Sequence, residues 1–376
     1  MPTASRRSFL RTSSLISAGY FVGAGVRPAW STSANEQLNV ACIGVGGKGG
    51  SDSNNASLFG NVIAICDVDR KTLESKGQAE RFTDAEQFTD YRELFAKHGK
   101  NIDICTISTP DHMHAPATLD AMRLGISCYT QKPLTRTIYE ARLLANVAED
   151  TGVCTQMGNQ GTALDSSREA IAQLKSGVLG PLKEVYAWSN RPVWAQGPGR
   201  RMNIRKYQTQ AMAEVDSQED AETTAEEIVE IVADLVKAKE KEIAKALERV
   251  DWKAWLGVAP GREFWPGLYH AFQHRGWWDF GTGALGDMAC HMLTVPFAAC
   301  GLRDPISVVA RTTGHDFDSF PASSIIKFEF PETSERPAIP FWWYDRKGNK
   351  PPMEVFSKWG LDKVADSGVL IVGEKG

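Results

Sequence analysis

The residues in this chain best placed to do chemistry begin with a glycine cluster. In Leu38-Asn-Val-Ala-Cys-Ile-Gly-Val-Gly-Gly-Lys-Gly-Gly50 an apolar run leads straight into the spacing Gly44-x-Gly46-x-x-Gly49. In that spacing the first glycine permits a tight turn and the second lets backbone approach a pyrophosphate. The third lets a helix pack closely on the preceding strand. Free N–H groups at the start of that helix, with Lys48 among its first residues, would then meet the phosphates. Asp67 closes the next apolar run. A carboxylate there accepts hydrogen bonds from ribose hydroxyls and repels a 2′-phosphate, which favours NAD over NADP. Read alone, the glycines would be a flexible turn; their position between strand and helix, with Asp67 behind them, makes them a dinucleotide site.

Other groups could act on a substrate. Asp287 and His291 are four residues apart, so a helix would put both on one face. A carboxylate beside an imidazole can set its tautomer and raise its pKa, as a general base requires. The same pair could equally be a helix cap and a core histidine. Lys132 follows the apolar run Ile126–Thr130, at the strand edge where such sheets bind ligands, unless it is merely a solvated loop lysine. Arg275, Trp277 and Trp278 combine a donor for hydroxyls with indole faces that stack on sugar rings, though both indoles would also suit a core. Asn159 and Gln160, at the end of another strand, are similar candidates. Asp111, His112 and His114 crowd metal donors together, but no Cys/His pairing elsewhere completes a site, so no metal is expected.

These groups need elements to hold them. The runs Leu38–Gly44, Asn61–Asp67, Ile102–Ser108, Ile126–Thr130 and Val153–Met157 alternate with helix-length segments. Such repetition predicts an α/β fold, an N-terminal Rossmann domain with a doubly wound parallel sheet over 35–157. Beyond it, 158–376 reads as a C-terminal α+β domain with an open, mostly antiparallel, tryptophan-rich sheet. Its strands include Glu184–Ser189, Ile306–Thr312 and Ser324–Phe330. An Ala/Glu/Lys-rich stretch at about 208–250 reads as an inserted amphipathic helix, solvated on the surface or serving as a lid or oligomer contact. The final run, Gly368 to Gly376, looks like a strand entering a turn, as if the domain's last strands were missing.

The bulk numbers set limits. A chain of 376 residues is long for one core, which supports two domains. A formal charge of −4 offers no basic excess for phosphate backbones, so nucleic acid is not an expected partner. No apolar run is long enough for a membrane span. Ser5-Arg6-Arg7-Ser8-Phe9-Leu10, then apolar Leu15–Val26 and small residues to Ala34, predict a twin-arginine signal over 1–34, unless this is only a disordered basic tail. The protein is then expected in the periplasm or otherwise exported, folded around its cofactor first. Cys42, Cys66, Cys105, Cys128 and Cys154 sit in strand-like runs and read as small buried hydrophobes, so no disulfide framework is expected.

With Ile43–Gly49 and Asp67, Thr109-Pro110-Asp111-His112-Met113-His114, Gln131-Lys132-Pro133 and Trp277–His291 in view, the sequence resembles the Gfo/Idh/MocA (glucose–fructose oxidoreductase/inositol dehydrogenase) family, most closely its exported branch. The resemblance runs from about Leu38 to the end. It implies an NAD-dependent oxidoreductase acting on a secondary alcohol of a sugar, sugar acid or polyol, with Lys132, Asp287 and His291 catalytic. It places Thr109, Pro110 and His114 in a loop over the cofactor, and Lys132 against both nicotinamide ribose and substrate hydroxyl. The family's tripeptide is usually Glu-Lys-Pro; Gln131 removes a charge beside the lysine. Some relatives instead retain NAD and cleave glycosides without net oxidation, and a non-catalytic sugar-binding protein could keep the fold. The expected partners are a small carbohydrate, the twin-arginine machinery and further copies of the chain in a homo-oligomer.

Overall fold

Apolar runs bounded by glycine and polar turns become strands in a computed structural model, which describes residues 37–194, 196, 197, 237 and 240–376. The expected signal segment and much of the expected insertion lie outside the described residues. The first sheet contains β1 (Asn39–Ile43), β2 (Asn61–Cys66), β3 (Glu86–Phe88), β4 (Ile104–Ile107), β5 (Ser127–Gln131) and β6 (Thr155–Gly158). All neighbours are parallel and the order is β3-β2-β1-β4-β5-β6, so the chain reverses direction of winding between β1 and β4. Ligands of such sheets bind outside the strand carboxyl ends at that reversal. Sequence patterning did not mark β3, whose three residues are too few to show a period.

Helices α1 (Gly47–Ala56), α2 (Arg70–Gly77), α3 (Tyr91–His98), α4 (Asp111–Arg123) and α5 (Ile138–Thr151) supply the crossovers. The inner strands β1, β2, β4 and β5 bury side chains on both faces, which is why their runs are continuously apolar rather than alternating. Cys42, Cys66, Cys105 and Cys128 are buried, and loss of water pushes each thiol's pKa up. Cys154 departs from the expectation: it is exposed and precedes β6 rather than lying within a buried strand.

After α6 (Asp165–Lys175) the chain enters the second sheet through β7 (Leu182–Ser189). Helices α7 (Trp252–Leu256), α8 (Gly283–Met292) and α9 (Thr294–Cys300) precede β8 (Ser307–Thr312), β9 (Ser324–Phe330) and β10 (Ile339–Asp345). α10 (Met353–Ser357) and β11 (Gly368–Gly373) follow. The sheet order is β11-β7-β10-β9-β8, antiparallel except for the β7–β10 pair. In α8, Leu285, Met288, Ala289 and Met292 form a stripe packed on this sheet. That anchoring turns the opposite face, with Asp287 and His291, toward the first domain.

Most tryptophans of the second domain divide between two places. Trp342 and Trp343 lie in β10 as expected, but Trp252, Trp255, Trp265 and Trp277 leave the sheet. They join Tyr269 and Phe280 in an aromatic cluster that packs on Val68, at the end of β2. This cluster docks the second domain against the nucleotide edge of the first.

Candidate active site

Loops from the ends of β1, β4 and β5 and the face of α8 surround one cleft of about 650 Å³. Its wall runs from Gly46, Asp67 and Asp69 past Thr109 and Pro110 to Lys132, Arg275 and His291. Gly44 has φ +75°, and a Cβ there would lie 2.6 Å from the Ser108 carbonyl oxygen. A Cβ on Gly49 would lie 1.9 Å from the Gly44 carbonyl oxygen, so the third glycine is what lets α1 seat against β1. Gly49 therefore shapes the site from beneath and is absent from the cleft wall.

Asp67 fixes this loop. One carboxylate oxygen accepts from Val45 N and Gly46 N at 3.0 and 3.2 Å, and the other from Asp69 N at 3.0 Å. Burial raises its pKa, while the Asp69 and Val45 N–H groups pull it down. The second oxygen carries a single donor among the described residues and keeps acceptor capacity for a ribose hydroxyl. A dinucleotide suits these residues: the cleft is long enough to be lined from both domains, and the buried Thr109 hydroxyl has no partner among the described residues. Space above Gly47 is open, with φ +49° and nothing near its missing side chain.

Below the loop sits a network that sequence reading missed. Asp52, buried in α1, accepts from Lys48 Nζ at 2.5 Å, Ser108 Oγ at 2.8 Å and Gln131 Nε2 at 2.8 Å. One carboxylate thus joins the loops after β1, β4 and β5. It also accounts for Gln131: a glutamate there would set two buried carboxylates against each other, whereas the amide donates. The signal was present in the sequence only as an acid in the second turn of a polar helix, which α1's composition disguised.

At the other end, Lys132 is the first residue beyond β5, and Nζ donates to the Asp287 carbonyl at 2.7 Å and to its carboxylate at 2.8 Å. Arg275 Nε donates to the same carboxylate oxygen at 3.2 Å. Asp287 and His291 do share a face of α8, but no hydrogen bond joins them among the described residues; the carboxylate is committed to the two cations. The imidazole pKa is accordingly lowered, not raised, by burial first and by Lys132 second, with Asp287 opposing. His291 lies on the cleft wall as a neutral ring with room for a proton.

Several candidates take other places. Asn159 is buried and donates to the Cys290 carbonyl at 2.6 Å and Thr294 Oγ1 at 3.0 Å, so it secures α8 rather than meeting substrate. Trp277 is 1% exposed and its indole N–H donates to the Leu268 carbonyl, leaving no face for a sugar. Trp278 is exposed but lies beside His315 and Phe320, away from the cleft wall. Gln160 and Arg275 do line the cleft. His114 also borders it, yet its ring nitrogens sit 2.6 and 2.7 Å from the Pro133 and Thr109 carbonyls, so it braces two loops instead of offering a ligand group. Asp111 is buried; burial opposes its charge, but His274, His114 and the Thr282 hydroxyl outweigh it and hold the carboxyl below the usual range. His270 and His274, unflagged by any motif, line the cleft from the second domain.

The nucleotide end is strapped as well. Asp69, 4% exposed, receives Arg249 at 2.9 Å and His270 at 3.1 Å, and Asp251 N donates to the Val68 carbonyl. Residues 240–249 are helical and mostly exposed, in keeping with a solvated insertion, but their last residue closes onto the cofactor cleft.

Residues 38–159 match the oxidoreductase-family model for an NAD-binding Rossmann fold, and residues 234–330 match its C-terminal α/β domain. The chain belongs to the Gfo/Idh/MocA family. Its N-terminal domain is the family's NAD-binding domain, so NAD is the cofactor the glycine loop holds. A family member named glycosyl hydrolase family 109 protein, from Shewanella pealeana, is 28% identical over 47% of this chain and 44% of its own length. Inositol 2-dehydrogenase from Rubrobacter xylanophilus is 28% identical over 31% of this chain and 33% of its own. The chain thus spans less than half the length of these relatives. The WlbA dehydrogenase from Bordetella pertussis, solved with NADH and UDP-GlcNAcA, shares the fold with a TM-score of 0.55. It is 13% identical, over 90% of this chain and 78% of that one.

Proposed function

We propose that the protein is an exported NAD-dependent oxidoreductase acting on a secondary alcohol of a sugar, sugar acid or polyol. The observation that carries this reading is the meeting of Lys132 and His291 on the cleft wall where loops of the NAD-binding domain face α8. When bound, NAD supplies a hydride acceptor. Lys132 has an N–H beyond the two that Asp287 takes and directs it at the substrate oxygen. His291, neutral because burial and Lys132 disfavour its charge, takes the hydroxyl proton. Asp287 positions the lysine and not the histidine. Export rests on the twin-arginine pattern at Ser5–Leu10, and NAD is preferred to NADP because Asp67 faces the ribose end.

A second reading uses the same residues. Relatives named as glycosyl hydrolases of family 109 favour transient oxidation followed by elimination and return of the hydride, with no net change in cofactor. His291→Ala should lower turnover by about 10²–10⁴-fold in either case while NAD still binds. With glycoside substrates, stoichiometric absorbance gain at 340 nm identifies a dehydrogenase; leaving-group release without it identifies the hydrolase. Full activity of His291→Ala in both assays would refute this active site.

A further inference from the structure

Four side chains link the phosphate end of the cleft to its reacting end. Lys48 Nζ donates to Asp52 Oδ1 at 2.5 Å, and Gln131 Nε2 donates to Asp52 Oδ2 at 2.8 Å. On its other side the same amide accepts: Gln131 Oε1 takes the backbone N–H of Lys132 at 3.3 Å. Lys48, Gln131 and Lys132 line the cleft, whereas Asp52 is buried and stands behind the wall. Gln131 is buried too and lies against Gly158 of β6, where a Cβ would come within 2.6 Å of Nε2. That close fit holds the amide in place.

The bridge works because its two members differ. Gln131 donates on one side and accepts on the other, which an amide can do and a carboxylate cannot. Asp52 accepts from Lys48, Ser108 and Gln131, which a carboxylate can do without conflict. Asp52→Asn would turn a donor toward the Gln131 donor, and flipping either amide only carries the clash to Lys48 Nζ or to Lys132 N. Gln131→Glu would set carboxylate against carboxylate. Mismatches of this kind are costly where water does not reach. Making both changes removes them. The amide oxygen at 52 then accepts from Lys48, its nitrogen donates to Ser108 Oγ and to the carboxylate at 131, and that carboxylate still accepts from Lys132 N. Ser108 has only to turn its hydroxyl from donor to acceptor.

We propose that Asp52 and Gln131 are positioning residues for Lys132, tethering its backbone so that Nζ meets Asp287 and the substrate oxygen. What the site requires is one carboxylate facing one amide, not either residue where it stands. The inference rests on reading Lys132 as the group that meets the substrate, and deepens that reading by naming what holds the lysine. Because Lys48 shares the carboxylate, nucleotide affinity and lysine placement should change together.

Lysine labelling tests this independently of turnover. The full protein at saturating NAD is methylated with formaldehyde and cyanoborohydride, and peptide mass spectrometry compares Lys132 with the exposed Lys347. Lys132 gives two of its N–H groups to Asp287, so its labelling should be slow in the native protein. Asp52→Asn and Gln131→Glu should each quicken it about tenfold and weaken NAD binding by a similar factor, the scale of one charge-assisted bond. The double variant should return both quantities to within about twofold of native. Gln131→Met removes both ends of the bridge without adding charge, and gives the same reading if the charged variant does not fold; thermal melting checks each protein. Native labelling in the single variants, a double variant no better than the worse single one, or weakened NAD binding with Lys132 still protected would each overturn the proposal. If labelling follows the expected pattern but no sugar, polyol or glycoside reduces NAD or loses a leaving group, the oxidoreductase reading fails while the positioning pair stands.

Discussion

At the scale of single residues, the cofactor preference turns on Asp67. Its carboxylate does two things, holding the glycine loop through Val45 and Gly46 and presenting negative charge at the ribose end. Asp67→Asn keeps an acceptor for the loop while removing the charge. NAD affinity should fall about tenfold, consistent with one hydrogen bond to a charged group, and NADP affinity should rise. Fluorescence titration with both nucleotides checks it; an unchanged ratio would remove Asp67 from the specificity argument. Residues of this kind were legible in the sequence because backbone chemistry demands them at fixed spacing: no other residue survives at Gly44 or Gly49, and an acid after β2 has one obvious use. Asp287 was legible as important but not in its role. Spacing along a helix reports which side chains share a face, whereas partners such as Lys132 and Arg275 arrive from remote parts of the chain.

Among the elements, α4 shows how a helix start can link two domains. Its first turn is buried, and His112 Nε2–H donates to the Trp255 carbonyl at 2.9 Å, with the ring beside Trp255 and Phe280. Nδ1 has no partner among the described residues, and burial lowers the ring's pKa to about 4. Above pH 6.5 the ring is neutral folded or unfolded and contributes no pH dependence. As pH falls from there toward 4, the unfolded chain takes up the proton that the folded one refuses, so stability drops. By pH 4 the loss from this ring approaches roughly 3 kcal/mol. Urea midpoints measured between pH 7 and 4 should therefore decline, and His112→Gln should flatten that decline. A slope identical in both proteins would show that other groups control it. From sequence, the Asp-His-x-His cluster offered metal ligands or a cofactor loop; only the packing of the aromatic cluster against α4 reveals a domain clasp. Strand runs and crossovers were readable because burial on both faces leaves a continuous apolar signature. The destination of the tryptophans was not, since a core indole and a sugar platform have the same composition.

Taken whole, the molecule closes its cleft with two unlike ties. Lys132–Asp287 joins the domains at the reacting end, with side chains 14% and 10% exposed. Arg249–Asp69 joins them at the nucleotide end, where the arginine is 46% exposed. Mobile ions screen an exposed pair far more than a sheltered one. Raising NaCl from about 50 to 500 mM should accordingly quicken NAD release severalfold, as followed by stopped-flow displacement, and Arg249→Gln should reproduce the fast release at low salt. Salt-independent release would mean that the strap does not hold the nucleotide. For anyone isolating the protein, buffer strength then decides what comes off the column. A dilute eluate carries its own oxidant and works in an assay to which nothing is added; a concentrated one arrives stripped and looks inert. Two preparations of the same chain would pass for different enzymes, separated only by how a half-exposed arginine was rinsed.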